Sequence, residues 1–89
     1  MPHVLEGHTN RITAIDICEK RNLLVSGSRD NKVKLWNLKD NTLLKTYEDT
    51  NSVYDAVFSS EGRFLAYGGG STIIHLIELK DFKDKDIVS

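Results

Sequence analysis

Apolar and polar positions alternate in short bursts along this 89-residue chain, and each burst is ended by a cluster of turn formers. Residues 12–17 (ITAIDI) and 53–58 (VYDAVF) are rich in β-branched and aromatic side chains, which suit a pleated, half-buried surface. "EKRN" and "SSEG" follow them as turns. Then come 23–27 and 63–68, a turn of Gly, Asp and Asn residues, and 32–38 and 72–79. "KDNT" (39–42) turns the chain once more, into 43–47. No segment carries a helical period. The pattern predicts short antiparallel strands about every ten residues.

The bursts are written twice. Shifted by 41 residues, "ITAIDICEKRNLLVSGSRDNKVKLWNL" (12–38) falls without a gap on "VYDAVFSSEGRFLAYGGGSTIIHLIEL" (53–79). Leu24 meets Leu65, Gly27 meets Gly68, Leu35 meets Leu76 and Leu38 meets Leu79. Ile12, Ile15 and Ile17 meet Val53, Ala56 and Phe58. A period in the low forties is the mark of a repeat array. At the start, "HVLEGH" (3–8) matches "KTYEDT" (45–50), the end of a fourth strand and the loop after it.

Gly7-His8 at the head of a unit, "LLVSGSRDNKVKLWNL" at its end and a low-forties period together resemble a WD40 repeat. The resemblance covers nearly the whole chain, with specific motifs in 7–38 and degenerate ones in 48–79; the "WD" dipeptide reads Trp36-Asn37. It implies an all-β fold of antiparallel four-stranded propeller blades. The expected order is an outer strand of a preceding blade (3–8), a complete blade (9–48), a second, degenerate blade (49–80), and a charged tail or weak last strand (81–89, with the strand at 86–88). A closed propeller needs at least four blades, so two predict an incomplete propeller that further blades, in cis or in trans, would close.

The resemblance also implies a structural tetrad. In the family a His of the Gly-His pair, a Ser or Thr of the second strand, the Asp of the next turn and the Trp of the third strand are hydrogen-bonded together. The matching residues are His8, Ser26, Asp30 and Trp36. A buried indole needs an acceptor. A Ser hydroxyl can supply it and pass its own proton to an imidazole, whose other nitrogen can donate to a carboxylate. The second unit has Asp49, Tyr67, Ser71 and Ile77 at these positions, which predicts a softer blade held by apolar packing alone. The resemblance further implies a top face for docking partners. The positions that ring it are Arg11, Thr13 and Arg29, with Ser52, Tyr54 and Gly70 in the second unit. Strand alternation is expected to turn Ile12 into the core and leave its neighbours outside.

Other chemistry is weaker. Ser26, His8 and Asp30 are the residue types of a hydrolase triad, but Ser26 lies within a strand and Trp36 has a claim on its hydroxyl. No enzyme is expected. His3, His8, Cys18 and His75 lack metal-ligand spacing, so no metal or cofactor is expected, and His3 and His75 are expected to be solvated. "YGGGS" lacks the Gly-Lys-Ser/Thr and following helix of a phosphate loop and is expected to be a flexible hairpin turn. The single cysteine, Cys18, makes no internal disulfide and reads as a structural thiol of a reducing compartment, cytoplasm or nucleus. No apolar run spans a bilayer, and the start lacks a signal peptide. A net charge of −1 disfavours nucleic acid.

The expected function is a non-enzymatic scaffold or adaptor segment that mediates protein–protein interactions in a larger assembly. The alternatives are the substrate-recruiting part of a ubiquitin ligase or other enzyme complex, to whose propellers "FLAYGG" is loosely similar, and a truncated propeller fragment without function of its own.

Overall fold

The computed structural model describes residues 5–70 and 73–79. Seven strands make two antiparallel sheets: β1 (Ile12–Cys18), β2 (Leu23–Ser28), β3 (Lys32–Asn37) and β4 (Thr42–Glu48) in the order 1-2-3-4, and β5 (Val53–Phe58), β6 (Phe64–Gly69) and β7 (His75–Glu78) in the order 5-6-7. Within each sheet, strands that follow one another in sequence lie side by side, and the chain passes from the first sheet to the second between β4 and β5. Three turns place an asparagine in the left-handed region, Asn22 (φ 53), Asn31 (φ 70) and Asn41 (φ 61), where its short polar side chain is tolerated better than most. "EKRN" forms a single 3-10 turn, Glu19–Arg21, closed by Asn22 N–H on the Glu19 carbonyl at 3.2 Å.

The 41-residue period survives in backbone detail. β1 carries a bulge between Ile12 and Ala14, and β5 carries one between Val53 and Asp55. The two sheets pack face to face, with β5 against β1, β2 and β3. The core between them joins Cys18, Leu23, Val25, Val33 and Leu35 of the first sheet to Val53, Ala56, Leu65, Tyr67 and Leu79 of the second side. Alternation along β2 and β3 puts Val25 and Leu35 opposite each other on this face, and both are fully buried.

Polar ties cross the core's rim. Asp16 accepts the Phe58 N–H at 2.8 Å. Arg21 donates to the carbonyls of Gly62 (2.7 Å) and Leu79 (2.8 Å). Thr13 gives its hydroxyl to the Val53 carbonyl, and exposed Lys20 pairs with Glu61 at 2.8 Å. Except for the bond to Leu79, each tie joins a residue of one unit to the matching stretch of the next.

Three expectations are corrected. Ile12 does not enter the core; it is 44% exposed, and Ile15, further along the same face, is 63% exposed. The bulge hands the inward position to Thr13, and no sheet covers this outer face among the described residues. Second, residues 5–8, the described part of the expected outer strand 3–8, hold no strand, since an outer strand needs a neighbouring sheet to pair with. Third, β7 begins at His75, where its ladder with Tyr67 starts, rather than at 72. Ser71, Thr72 and the stretch 80–89, with its possible strand at 86–88, lie outside the described residues, as does His3.

Candidate docking site

Four side chains from separate elements meet beside the β2–β3 turn. The Trp36 indole N–H donates to Ser26 Oγ at 2.9 Å. Ser26 Oγ lies 2.7 Å from His8 Nε2, and His8 Nδ1 lies 2.9 Å from Asp30 Oδ2. The proton positions follow from the ends of the chain. The indole only donates and the carboxylate only accepts, so the Ser26 hydroxyl donates to Nε2 and a neutral His8 carries its proton on Nδ1. Asp30 also accepts the backbone N–H of Thr9 (3.0 Å) and of Lys32 (2.9 Å). One carboxylate, its side chain 3% exposed, thus clamps the loop before β1 to the turn after β2.

That clamp explains the burial around it. Gly7 lies over the Trp36 ring and the aliphatic stem of Lys34; a Cβ there would sit 3.5 Å from the one and 3.3 Å from the other. Trp36 and Lys34 are therefore buried while Ile15 and Ile17 on the same face are bare. Lys34 reaches Thr46 Oγ1 at 3.3 Å with its ammonium.

Burial pushes the Asp30 carboxyl up, but the bonds from Thr9, His8 and Lys32 outweigh it and hold it below its ordinary 3.8. A carboxyl depressed on folding stabilises the fold above its unfolded value, and that contribution disappears as pH falls through the folded value. The stability lost on Asp30→Asn is therefore expected to shrink as the pH falls below 4. Urea midpoints of both proteins across this range test it; a gap that stays constant down to pH 3 overturns it.

The tetrad orients the loop that carries Arg11. The Arg29 N–H donates to the Arg11 carbonyl at 3.0 Å, so two exposed arginines project from adjoining turns. Ser52 joins them, its hydroxyl 3.5 Å from the Arg29 carbonyl. The Gly70 N–H donates to the Ser52 carbonyl at 2.9 Å, which brings the β6–β7 turn to the same end. Gly69 is needed there for close approach, because a Cβ would fall 2.1 Å from the Ser52 carbonyl oxygen. The other two candidates stand apart. Thr13 is half-buried and its hydroxyl is spent on the Val53 carbonyl of the second sheet and the Gly27 carbonyl of its own. Tyr54 is exposed on the outer face of the second sheet, in a shallow cleft with Val57, Ile73 and Ile74.

The second sheet is not held by apolar packing alone, which corrects the expectation for it. Asp49 stands where His8 stands in the first unit. Its side chain is 3% exposed, Oδ1 accepts the Thr50 N–H at 2.6 Å, and buried Oδ2 has no hydrogen bond. His75 Nε2 is 3.7 Å from it. The His75 ring stacks on Tyr67 at 4.7 Å, and Tyr67 leans on Tyr47 at 6.2 Å. His75 is therefore half-buried rather than solvated. Burial pushes the Tyr67 hydroxyl up, and the charge of Asp49 adds to it. The sequence missed this group because its histidine sits on the third strand, 41 residues after Lys34, rather than in a Gly-His loop. Asp16 and Arg21 were also missed as inter-sheet ties; the one available signal was that Arg21 falls on Gly62 in the 41-residue register.

Among the described residues, no three of His, Cys, Asp and Glu lie close enough together to hold a metal ion. No helix there is long and apolar enough to cross a membrane. Ser26 is buried, and its hydroxyl is engaged by both Trp36 and His8.

The family model described as "WD domain, G-beta repeat" matches residues 1–37. The WD repeat-containing protein SL1-17 of Schistosoma mansoni is 33% identical over 76 residues, covering 84% of this chain and 25% of that protein. A guanine nucleotide-binding protein subunit beta of Arabidopsis thaliana is 32% identical over 85 residues, covering 92% of this chain and 22% of that one. The crystal structure of the Myceliophteria thermophila Cps50 (Swd1) β-propeller domain superposes with a TM-score of 0.77 at 23% identity, over 86% of this chain and 25% of that domain's chain. Tetrad, sheet order and repeat match together define a pair of propeller blades, the second with three of its strands among the described residues. The chain belongs to the WD40-repeat family, and it spans a quarter or less of the length of these relatives.

Proposed function

We propose that this chain contributes a non-enzymatic docking surface to a larger protein assembly, through the loop end that carries Arg11, Arg29 and Ser52. The observation that carries the reading is the tetrad. It spends four polar side chains on fixing a surface loop, and the loop so fixed presents two exposed arginines side by side. A buried network with every member satisfied gives rigidity at the residues it supports. Arginine is enriched among the few interface residues that dominate binding. Other proteins are its partners, and Tyr54 adds an aromatic contact from the adjoining face. The lone thiol, Cys18, is buried in the core and suits a cytoplasmic or nuclear setting.

The test is the double variant Arg11→Glu/Arg29→Glu, expressed with the wild type in matched cells, with bound proteins quantified by mass spectrometry. Both guanidiniums are exposed, so the melting temperature is expected to stay within a degree or two. Capture of the specific partners is expected to fall at least tenfold. Equal capture by both proteins overturns the reading. The recovered partners also decide between a general assembly subunit and the recruiting part of a ubiquitin ligase.

A further inference from the structure

Asp49 holds a buried carboxylate oxygen that nothing bonds. Its side chain is 3% exposed; Oδ1 takes the Thr50 N–H and, more loosely, the Thr50 hydroxyl, while enclosed Oδ2 has no hydrogen bond. A buried acceptor without a donor is costly, and a charged one more so. His75 Nε2 stands 3.7 Å from that oxygen, within reach of an ion pair but too far for a hydrogen bond. It is about 1 Å short of the ~2.8 Å at which a cationic N–H meets a carboxylate. The packing permits that step. The His75 ring lies on Tyr67 with centroids 4.7 Å apart and planes 18° from parallel, and nearly parallel offset rings can slide while staying in contact.

We propose that Asp49 and His75 form a proton-operated latch: when His75 is protonated its Nε2–H closes on Asp49 Oδ2 and fastens the start of β7 to the β4–β5 loop, and when His75 is neutral the pair stands open at 3.7 Å. Protonation puts a positive charge between a carboxylate and an aromatic face, and both attract it. A doubly protonated ring carries an N–H on each nitrogen, so closure does not depend on the neutral tautomer. The titratable groups facing the ring are Asp49 from the loop and Tyr67 from β6. Tyr47 of β4 follows Tyr67 at 6.2 Å, with the Lys45 ammonium 5.6 Å over its ring. On β7 itself Glu78 is engaged by Arg63 at 3.4 Å. Both ends of the latch are anchored. The Asp49 N–H donates to the Asn31 carbonyl of the first sheet's β2–β3 turn at 2.7 Å, and His75 opens the ladder of β7 with Tyr67. The first unit has His8 and Lys34 at the matching positions, so the device belongs to the second unit alone. The fastened loop runs on to Ser52, but the latch is a property of the fold and its test does not rest on the docking reading. Histidine ordinarily changes charge at about pH 6.5. A contact made only by the protonated form adds stability on the acid side and loses it as the pH rises.

The experiment is a double-mutant cycle between Asp49→Asn and His75→Phe, read by urea unfolding of the four proteins at about pH 5.5 and about pH 8. Phenylalanine keeps a ring on Tyr67 and cannot titrate. His8 titrates as well, but it is present in all four proteins and cancels from the cycle. The two sites are expected to be coupled by about fivefold or more in the unfolding equilibrium constant at the acid pH, and by less than about twofold at the alkaline one. Equal coupling at both pH values, coupling at neither, or coupling that grows with pH overturns the proposal. Should either variant fail to fold, amide exchange of the wild type decides. Protection of the Asp49 N–H and of the β7 amides, corrected for intrinsic rates, is expected to rise about fivefold relative to β2 amides from the alkaline to the acid pH. An unchanged ratio overturns the latch.

Discussion

Trp36→Ala is expected to destabilise the chain by about 3–5 kcal/mol, the range for removing a large buried aromatic. Three losses combine. The ring is buried between the Gly7 loop and the sheet, and its removal opens a cavity. Ser26 Oγ loses the donor that occupies its lone pair. The loop from Gly7 to Arg11 loses the surface it lies on. Because ordinary domains have about 5–15 kcal/mol in all, Trp36→Phe provides a milder companion. It keeps most of the ring but not the N–H, and should cost about 1–3 kcal/mol, the scale for an unpaired buried polar group. Urea unfolding of the three proteins gives both numbers. Amide exchange locates the effect: the Thr9 N–H, held on Asp30, should exchange faster in both variants by more than the global loss explains, while amides of β6 should speed up by no more than the loss of global stability. A Trp36→Phe variant as stable as the wild type, with Thr9 equally protected, would show that the hydrogen-bonded chain adds nothing beyond ring packing.

The residues in this network could be named in advance because the resemblance to a WD40 repeat implies a tetrad whose positions fall on His8, Ser26, Asp30 and Trp36. Their hydrogen-bonding types agree with it, an indole and an imidazole placed between acceptors. The sheet order was legible in the turns, since every turn announces itself by Asn, Asp or Gly. The phase of β1 was not. Alternation assigns Ile12 inward, but the bulge between Ile12 and Ala14 moves the inward position to Thr13, and nothing in "RITAI" marks a bulge. Exposure was equally hidden: Ile15 and Ala56 are equivalent in sequence, yet only Ala56 has a sheet in front of it. The Asp49, Tyr67 and His75 group escaped because it is assembled across strands and a loop, in a register set by the β6–β7 ladder. The inter-sheet ties of Asp16 and Arg21 escaped too, as pairing between units leaves no local spacing to read.

Gly62→Ala is expected to cost about 2–4 kcal/mol through two separable effects. Gly62 has φ 71 and is buried in the turn between β5 and β6. A side chain in that left-handed conformation costs about 1–2 kcal/mol. Its Cβ would also stand 2.5 Å from Cys18 Sγ and 3.0 Å from Arg21 Cδ. The second contact matters because Arg21 holds the Gly62 and Leu79 carbonyls from across the interface; pushing the guanidinium stem aside strains the main polar tie between the sheets. A double-mutant cycle separates the effects. Cys18→Ala removes the sulfur but leaves the backbone angle, so it should recover part of the loss in the Gly62→Ala background. The part that persists measures the conformational cost together with the displacement of Arg21. Additive effects of the two substitutions would mean that the turn relaxes away from Cys18, and the sheets would then owe their spacing at this end to the arginine alone. Strong coupling would mean that the thiol and the glycine are fitted to each other, so the second sheet is seated on the first by contact between two turns that stand one repeat apart.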